Sequence, residues 1–298
     1  MEYIFIVNNY AGDKKVLEKL EKELNSYKLE FPYKIYSTTS QKDATIYVSN
    51  YCVNNPQKEV CFVSCGGDGT INEVATGIVN FENKYLAVLA YGSGNDFIKY
   101  YSDRDFTSIE KLVHGESEKI DVLQINEFNY SINMCNIGFE AMVGSVANKV
   151  KQKGGKHSYT KGIISAIFKG RKNDIEIYAD GEKITNGKML LCSVANCKFA
   201  GGKYMCSPNA SNKDGLIDVC LFHSMSLFRF LSCINLYKKG KHLESKKIEK
   251  KRVYKQCTNV KIVAPELIEI VADGEVIRGK EFNINIVPKG INFIVPKL

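Results

Sequence analysis

The most informative stretch of this sequence is Ser64-Cys65-Gly66-Gly67-Asp68-Gly69-Thr70-Ile71-Asn72-Glu73. It follows the run Glu59–Val63 and precedes a helix-like run through Val79. Glycines between a strand and a helix let backbone N–H groups approach an anion, and the helix N-terminus adds partial positive charge. The stretch therefore predicts a phosphate-binding turn. The alternative is an ordinary surface turn, which the buried type of strand ahead of it disfavours.

One carboxylate, Asp68, stands among these predicted amide donors. It would repel a bare phosphate, so its presence indicates either a bridging Mg²⁺ or a hydroxyl that must lose its proton. Both are features of phosphoryl transfer, and the turn is kinase-like in this respect.

Length and charge limit the number of domains and the kinds of partner to be expected. A chain of 298 residues has room for one large or two medium domains. Its formal net charge of +8 suggests acidic partners, such as nucleotide phosphates, anionic lipid headgroups or nucleic acid. No signal-peptide pattern or membrane-spanning apolar stretch is visible, so we expect a cytoplasmic or peripherally membrane-associated protein. We expect the ten cysteines to be reduced and mostly buried.

The chain changes character near residue 125. Before it, strand-like runs alternate with helical stretches such as Lys14–Ser26, which is a βαβ pattern. The predicted strands lie at Tyr3–Val7, Lys34–Tyr36, Val60–Ser64, Leu86–Ala90 and Ile120–Ile125. We therefore predict an α/β domain over residues 1–125.

Residues 126–298 are predicted to form a mainly antiparallel β domain, because short strand-like runs are separated by Asp-Gly, Asn-Gly and Lys-Gly turns. The runs lie at Asp174–Ala179, Lys188–Ala195, Leu216–Phe222, Asn259–Val263, Leu267–Val271 and Glu281–Ile286. Helices are expected at Phe139–Val150 and Ser226–Tyr237. No flexible linker separates the two domains, so we expect them to share a cleft.

Five motifs together resemble the bacterial diacylglycerol kinase family of soluble lipid kinases, which shares its catalytic domain with sphingosine and ceramide kinases. They are Gly66–Val74, Gly92-Ser93-Gly94-Asn95-Asp96-Phe97, Asn136-Ile137-Gly138-Phe139, Pro208-Asn209-Ala210 with Asp214–Val219, and Asp273-Gly274-Glu275. The chain departs from the family pattern by lacking its prolines in Asn8–Gly12 and Ala90–Ser93. The resemblance implies a Rossmann-like first domain, a β-sandwich second domain, an active site in the interdomain cleft, and a last segment that returns to the first domain.

The resemblance and the chemistry together give a set of ATP-binding residues. The amides of Gly66–Thr70 and the hydroxyls of Thr70 and Ser93 would hold phosphates, at the strand ends where α/β sheets bind ligands. Glu73 resembles the family residue that holds the nucleotide's ribose or base. The predicted set is Asn8, Thr39, Gly66, Gly67, Asp68, Gly69, Thr70, Ile71, Asn72, Glu73 and Ser93.

Two magnesium sites are implied by the resemblance. Asp68, Asp96 and Asp121, expected at successive strand or loop ends, would surround catalytic Mg²⁺; taken singly, each is more typical of a helix cap or turn. A structural Mg²⁺ would be held by Asp214 with the carbonyls of Ser211 and Leu216, and an Asp-Gly turn is the alternative there.

The tripeptide Asp273-Gly274-Glu275 lies between strand-like runs, and its simplest interpretation is a hairpin turn like Asp180-Gly181-Glu182. Only the resemblance separates the two copies. It implies that Glu275 accepts a proton during catalysis, assisted by Asp273, with Asp68 as a further catalytic residue.

We therefore expect an ATP-dependent, Mg²⁺-dependent lipid kinase, with diacylglycerol as the favoured acceptor. Basic runs at Lys149–Lys156 with Lys161, and at Lys238–Arg252, predict contact with an anionic membrane surface. An NAD kinase-like enzyme and a non-enzymatic basic module that binds membranes or nucleic acid are the alternatives. The module explains the charge but not the carboxylates, and we expect no nucleic-acid partner. A homodimer is left open.

Overall fold

The computed structural model describes residues 1–12, 15–27, 31–145 and 173–298, and the predicted basic cluster at Lys149–Lys156 with Lys161 lies outside these ranges. The chain divides into two compact units: Met1–Val122 with Pro288–Leu298, and Leu123–Val287. Within the described ranges, no helix is both long enough and apolar enough to cross a bilayer.

The first unit alternates strands and helices, as the sequence predicts. Its elements are β1 (Glu2–Val7), α1 (Val16–Ser26), β2 (Tyr33–Ser37), α2 (Asp43–Asn54), β3 (Val60–Gly66), α3 (Asp68–Ile78), β4 (Lys84–Ala90), a 3-10 turn (Phe97–Tyr101), α4 (Ile109–Val113) and the first part of β5 (Glu116–Ile125).

The strands of this unit form a parallel sheet in the order β2-β1-β3-β4, and residues 292–293 of the last strand, β16 (Glu275–Val295), pair in parallel with β4. The register places Val7 opposite both Ser37 and Cys65, and Gly66 opposite Ala90. The chain runs outward from β1 to β2 and returns past β1 to β3. A crevice at the carboxyl ends of β1 and β3 is therefore the expected ligand position in such a sheet.

The hydrophobic core of the first unit is built around β1, which is buried along its whole length, as expected of a parallel strand covered on both faces. Tyr3, Phe5 and Val7 share one hydrophobic cluster with Leu20 of α1 and Leu112 of α4. This packing fixes the strand ends from which the loops of the candidate site depart.

The second unit is mainly antiparallel β. Its elements are the end of β5, β6 (Asn129–Ser131), β7 (Met134–Gly138), α5 (described for residues 139–145), β8 (Glu176–Ala179), β9 (Glu182–Lys183), β10 (Met189–Ala195), β11 (Phe199–Ala200), β12 (Tyr204–Met205), β13 (Ile217–His223), α6 (Leu227–Lys238), a 3-10 turn (Lys246–Lys251), β14 (Arg252–Cys257), β15 (Asn259–Ala272) and most of β16. Strands β14-β13-β10-β7-β15-β16 are neighbours in that order. The prediction of a mainly antiparallel β domain is confirmed.

The prediction of two strands at Asn259–Val263 and Leu267–Val271 is wrong, since β15 is a single strand of 14 residues. Its pairing with β16 shifts register between Val263 and Ile268, around Pro265, which cannot donate a backbone hydrogen bond. The first half of β15 pairs with β8, and its end pairs with β7. A bulge, rather than a turn, therefore accounts for the break in the sequence pattern.

The predicted helix Ser226–Tyr237 corresponds to α6, while the predicted helix Phe139–Val150 is described only through residue 145. The expectation of buried, reduced thiols is confirmed, because all ten cysteines are free and buried.

Candidate active site

The loops that follow β1, β2, β3 and β4 carry the predicted nucleotide-binding residues of the first unit. Asn8 follows β1 directly, Thr39 lies two residues after β2, Gly67 follows β3, and Ser93 lies three residues after β4. Because the strands are parallel and in register, these loops leave the same edge of the sheet.

Three of these loops touch through their backbones. A Cβ added to Gly92 would lie 2.3 Å from the Cα of Gly67, and one added to Gly12 would lie 2.4 Å from the carbonyl oxygen of Tyr91. Gly12 also has a φ of +55°, which a side chain would strain. The glycines are therefore required for the loops after β1, β3 and β4 to meet.

The start of α3 presents donors of the kind that bind phosphate. Gly67 is its N-cap, in an extended conformation and with no side-chain cap, so the first-turn amides keep their outward N–H groups. The hydroxyl of Thr70 accepts a hydrogen bond of 3.0 Å from Asn8 Nδ2. A hydroxyl held in this way still carries a proton to donate, which suits a phosphate oxygen.

Asp68 is half-buried at this turn. Its Oδ1 accepts a 3.2 Å hydrogen bond from the backbone N–H of Phe97, and its Oδ2 would lie 2.8 Å from a Cβ on Gly94. Burial, followed by the nearby charge of Asp96, raises the pKa of Asp68. The loop after β4 thus holds this carboxylate in a confined and negatively charged environment.

Asp96 completes a carboxylate pair that one lysine partly neutralises. Asp96 is 8% exposed, and its Oδ1 lies 2.6 Å from Lys99 Nζ. The same ammonium group donates to the carbonyl oxygen of Gly94 at 2.7 Å. Lys99 therefore ties the carboxylate pair to the glycine loop.

Lys99 and Asn95 also belong to this cluster, although neither was predicted as a site residue. Asn95 adopts a φ of 51°, and its Nδ2 donates to the Gly92 carbonyl oxygen at 2.9 Å. Its Oδ1 is buried and, in the part of the chain that the structure describes, accepts no hydrogen bond. The spacing of Asp96 and Lys99, three residues apart on a helical turn, is the one signal that could have found the lysine.

The expected position of Asp121 at a strand end is wrong. It lies in the middle of β5, fully buried, and its Oδ1 accepts a 2.7 Å hydrogen bond from the backbone N–H of Lys289. Over residues 1–12, 15–27, 31–145 and 173–298, no group of three or more His, Cys, Asp or Glu side chains could hold a metal ion. Asp121 instead ties β5 to the returning segment of the first unit.

Thr39 and Glu73 both contact the start of α2. The amide and hydroxyl of Thr39 donate to Asp43 Oδ2 at 2.7 and 2.9 Å, and Glu73 Oε2 accepts from the Ala44 amide at 3.3 Å. Carboxylates near a helix N-terminus are favoured by its dipole. The nucleotide-binding roles of these two residues, and of the exposed Ser93, stay predictions.

In the second unit, both Asp-Gly-Glu copies form two-residue hairpins. Asp273 and Asp180 have φ values of 46° and 48°, and each is followed by a glycine with positive φ. They differ in their surroundings: Asp273 is 8% exposed, whereas Asp180 is exposed and binds the amides of Thr258 and Asn259.

The carboxylate of Asp273 accepts hydrogen bonds from backbone N–H groups of its own unit. It accepts from the N–H groups of Ile132, Asn133 and Met134 at 2.7, 3.2 and 3.0 Å. Burial raises its pKa to about 6, while these donors act in the opposite direction. Asp273 therefore fixes the hairpin, and the half-buried Glu275 that begins β16 is held in place by it.

The predicted structural metal loop lies between β12 and β13. Asp214 is exposed, and its Oδ1 accepts a 3.1 Å hydrogen bond from the Leu216 amide. This is the turn geometry that an Asp-Gly loop also adopts without a metal. The roles of Asp214, Ser211 and Leu216 stay predictions.

The close approach of Gly94 to Asp68 gives a first testable prediction. Gly94→Ala should push the Asp68 carboxylate aside, because the new Cβ would lie 2.8 Å from its Oδ2, and we expect kcat to fall by about tenfold or more. Steady-state kinetics measures this. Gly69→Ala is the comparison for stability, since nothing lies within 4 Å of its Cβ position and alanine favours a helix. Full activity of Gly94→Ala would show that the position of Asp68 is unimportant.

Models of two known domain families match the two parts of the chain. The diacylglycerol kinase catalytic domain model matches residues 2–125, and the YegS C-terminal NAD kinase beta sandwich-like domain model matches residues 133–295. The chain is 27% identical over 218 residues to the diacylglycerol kinase of Bacillus subtilis (strain 168), covering 72% of this chain and 70% of that protein. It is 30% identical over 241 residues to a Shewanella frigidimarina protein named "Probable lipid kinase YegS-like", covering 78% and 75%.

A crystal structure of a diacylglycerol kinase from Bacillus anthracis (strain Sterne) shares the fold, with a TM-score of 0.73 and 20% identity over 99% of this chain and 96% of that one. The match to the catalytic domain of diacylglycerol kinases, together with the kinase-named relatives, defines an ATP-dependent kinase that acts on a lipid hydroxyl group. The chain belongs to the diacylglycerol kinase and YegS-like family of lipid kinases.

Proposed function

We propose that this chain phosphorylates diacylglycerol, producing phosphatidic acid and ADP. The observation that supports it most is Asp68, held by the loop after β4 beside the amides of a glycine turn at the sheet's ligand-binding edge. The B. subtilis relative, named for diacylglycerol, supports the choice of acceptor.

The first unit would bind ATP through its strand-end loops. Amides at the start of α3 and the hydroxyl of Thr70 donate to phosphate oxygens, and Lys99 limits the repulsion that Asp68 and Asp96 exert on them. Glycines at positions 67 and 92 keep the path to these amides free of side chains.

The donor chemistry around Asp68 fits Mg²⁺, because the carboxylates of Asp68 and Asp96 and the amide oxygen of Asn95 are the hard oxygen ligands that this ion prefers. Two carboxylates together with substrate phosphates are a usual set for it. When bound, the ion would neutralise charge on the transferring phosphoryl group.

Glu275 is proposed as the base. As the acceptor oxygen bonds to the γ-phosphorus and the bond to ADP breaks, the hydroxyl proton passes to its carboxylate. Asp273 acts as a positioning residue, because its carboxylate oxygens accept hydrogen bonds from the amides of residues 132–134. A membrane-embedded acceptor also requires the protein to contact a lipid surface.

The test is phosphorylation of a lipid panel in mixed micelles with radiolabelled ATP, followed by identification of the product. We expect phosphatidic acid from diacylglycerol at a higher kcat/KM than products from ceramide, monoacylglycerol, undecaprenol or phosphatidylglycerol. A higher kcat/KM with any of these other lipids would overturn the choice of acceptor and leave the lipid kinase assignment in place.

The structural metal site gives a second prediction. Asp214→Ala should lower the melting temperature and remove its dependence on added Mg²⁺, because a ligand that binds only the folded state stabilises it. Thermal unfolding at increasing Mg²⁺ concentration measures this. Asp103→Ala, which removes an exposed carboxylate of the first unit, is the control. An unchanged Mg²⁺ response of Asp214→Ala would reject the site.

A further inference from the structure

Helix α6 presents large apolar side chains to solvent. Phe228 is 86% exposed, the highest value for a large apolar side chain in the described ranges, and Leu231, almost one turn further along, is 49% exposed. Single exposed apolar residues are common, but two neighbours on one helix face form a patch.

The opposite face of α6 holds the helix in place. Phe230 and Cys233 are buried in a cluster with Phe222, Met225 and Ile248. Ser226 caps the first turn by accepting from the Arg229 amide at 3.4 Å. The exposure of Phe228 and Leu231 is therefore a property of an anchored helix and not of a frayed one.

The exposed face continues into positive charge. Positions 228, 231, 235 and 238 recur at helical spacing, and Lys238 and Lys239 are exposed at the end of the helix. Residues 226–252 contain nine Lys and Arg against two Glu, a net charge of +7, where the whole chain carries +8. None of the ion pairs that the structure describes involves Lys238 or Lys239.

We propose that this surface, the α6 docking face formed by Phe228, Leu231, Lys238 and Lys239, binds an anionic lipid bilayer. The apolar side chains would enter the boundary between headgroups and acyl chains, and the lysines would contact anionic headgroups. The proposal rests on the proposed function, which requires contact with a lipid surface. Nucleic acid explains the docking face less well, because an exposed leucine contributes nothing to base stacking.

Insertion can be observed directly because the chain contains no tryptophan. Phe228→Trp gives a single reporter, and Phe128→Trp, at an 81% exposed position between β5 and β6, is the matched control. With vesicles of phosphatidylcholine and phosphatidylglycerol, we expect a blue shift and quenching by brominated lipid for Phe228→Trp alone. Equal quenching of both reporters, or no quenching of Phe228→Trp, would overturn the proposal.

Vesicle sedimentation measures how much the lysines and the apolar side chains of the α6 docking face each contribute to membrane binding. Replacing Lys238 and Lys239 by alanine should weaken binding about 25-fold, since each surface lysine contributes about fivefold. Replacing Phe228 and Leu231 by serine should weaken it about tenfold or more. Lys119→Ala with Lys280→Ala removes the same charge from exposed positions elsewhere and should have a smaller effect. Equal effects of the two lysine pairs would overturn the proposal, as would DNA binding that depends on Lys238 and Lys239 but not on Phe228.

The binding assays contain no ATP, so they do not depend on the chemistry. Phosphorylation of a short-chain diacylglycerol dissolved as monomers tests the kinase separately. A docking-face variant that keeps this activity but loses activity on vesicles supports the proposal. Wild-type protein that binds vesicles through α6 but phosphorylates no lipid would support docking and overturn the proposed function instead.

Discussion

Replacing Asp68 by asparagine is expected to lower kcat by about 10²-fold or more while the protein stays folded. The carboxylate lies among the amides of the phosphate-type turn and beside Asp96, where metal binding and charge neutralisation would occur. Losing such an element removes several kcal/mol of transition-state stabilisation, and about 1.4 kcal/mol corresponds to a tenfold change in rate.

The stability of this variant should not fall, which separates a catalytic role from a structural one. Burial and the charge of Asp96 raise the pKa of Asp68, so its ionised form is disfavoured in the folded state. Asparagine removes that charge and can still accept from the Phe97 amide. Asp103→Asn, at an exposed carboxylate, is the control for both measurements. Turnover above about a tenth of the wild-type value would exclude a central role for Asp68.

The sequence predicted the strand-end loops well because parallel strands place their carboxyl ends at one edge of the sheet. Asn8, Gly67 and Ser93 accordingly follow β1, β3 and β4. Asp121 could not be placed in the same way, since its predicted strand began only at Ile120, whereas in the structure β5 begins at Glu116. The bond from the Lys289 amide depends on a contact across 168 residues.

The two Asp-Gly-Glu hairpins also show that local sequence does not predict contacts between distant parts of the chain. Local sequence gives both the same turn, with nearly equal φ values at Asp180 and Asp273. The difference between them arises from amides at residues 132–134, which are about 140 positions away in the chain and bind only Asp273. Tertiary contacts, rather than the tripeptide, therefore distinguish the candidate catalytic copy.

Glu275→Gln is expected to reduce turnover by about 10²- to 10⁴-fold with little change in stability or ATP binding. The amide keeps the shape of the side chain but cannot take the hydroxyl proton. Glu182→Gln is a matched control, because Glu182 follows Asp180-Gly181 as Glu275 follows Asp273-Gly274. Rapid-quench measurement of the chemical step, beside thermal unfolding, separates chemistry from folding.

Asp273→Ala should show the opposite profile, with stability as its primary loss. It would leave three backbone N–H groups without their acceptor in a buried place, at about 1–3 kcal/mol each. Asp180→Ala, at the exposed hairpin, should cost less stability because water can replace the carboxylate.

If Glu275→Gln kept its turnover, or if Glu182→Gln lost as much, the proton acceptor would have to be another group. Asp68, which the loop after β4 holds close to the phosphate-type turn, would then be the first to test.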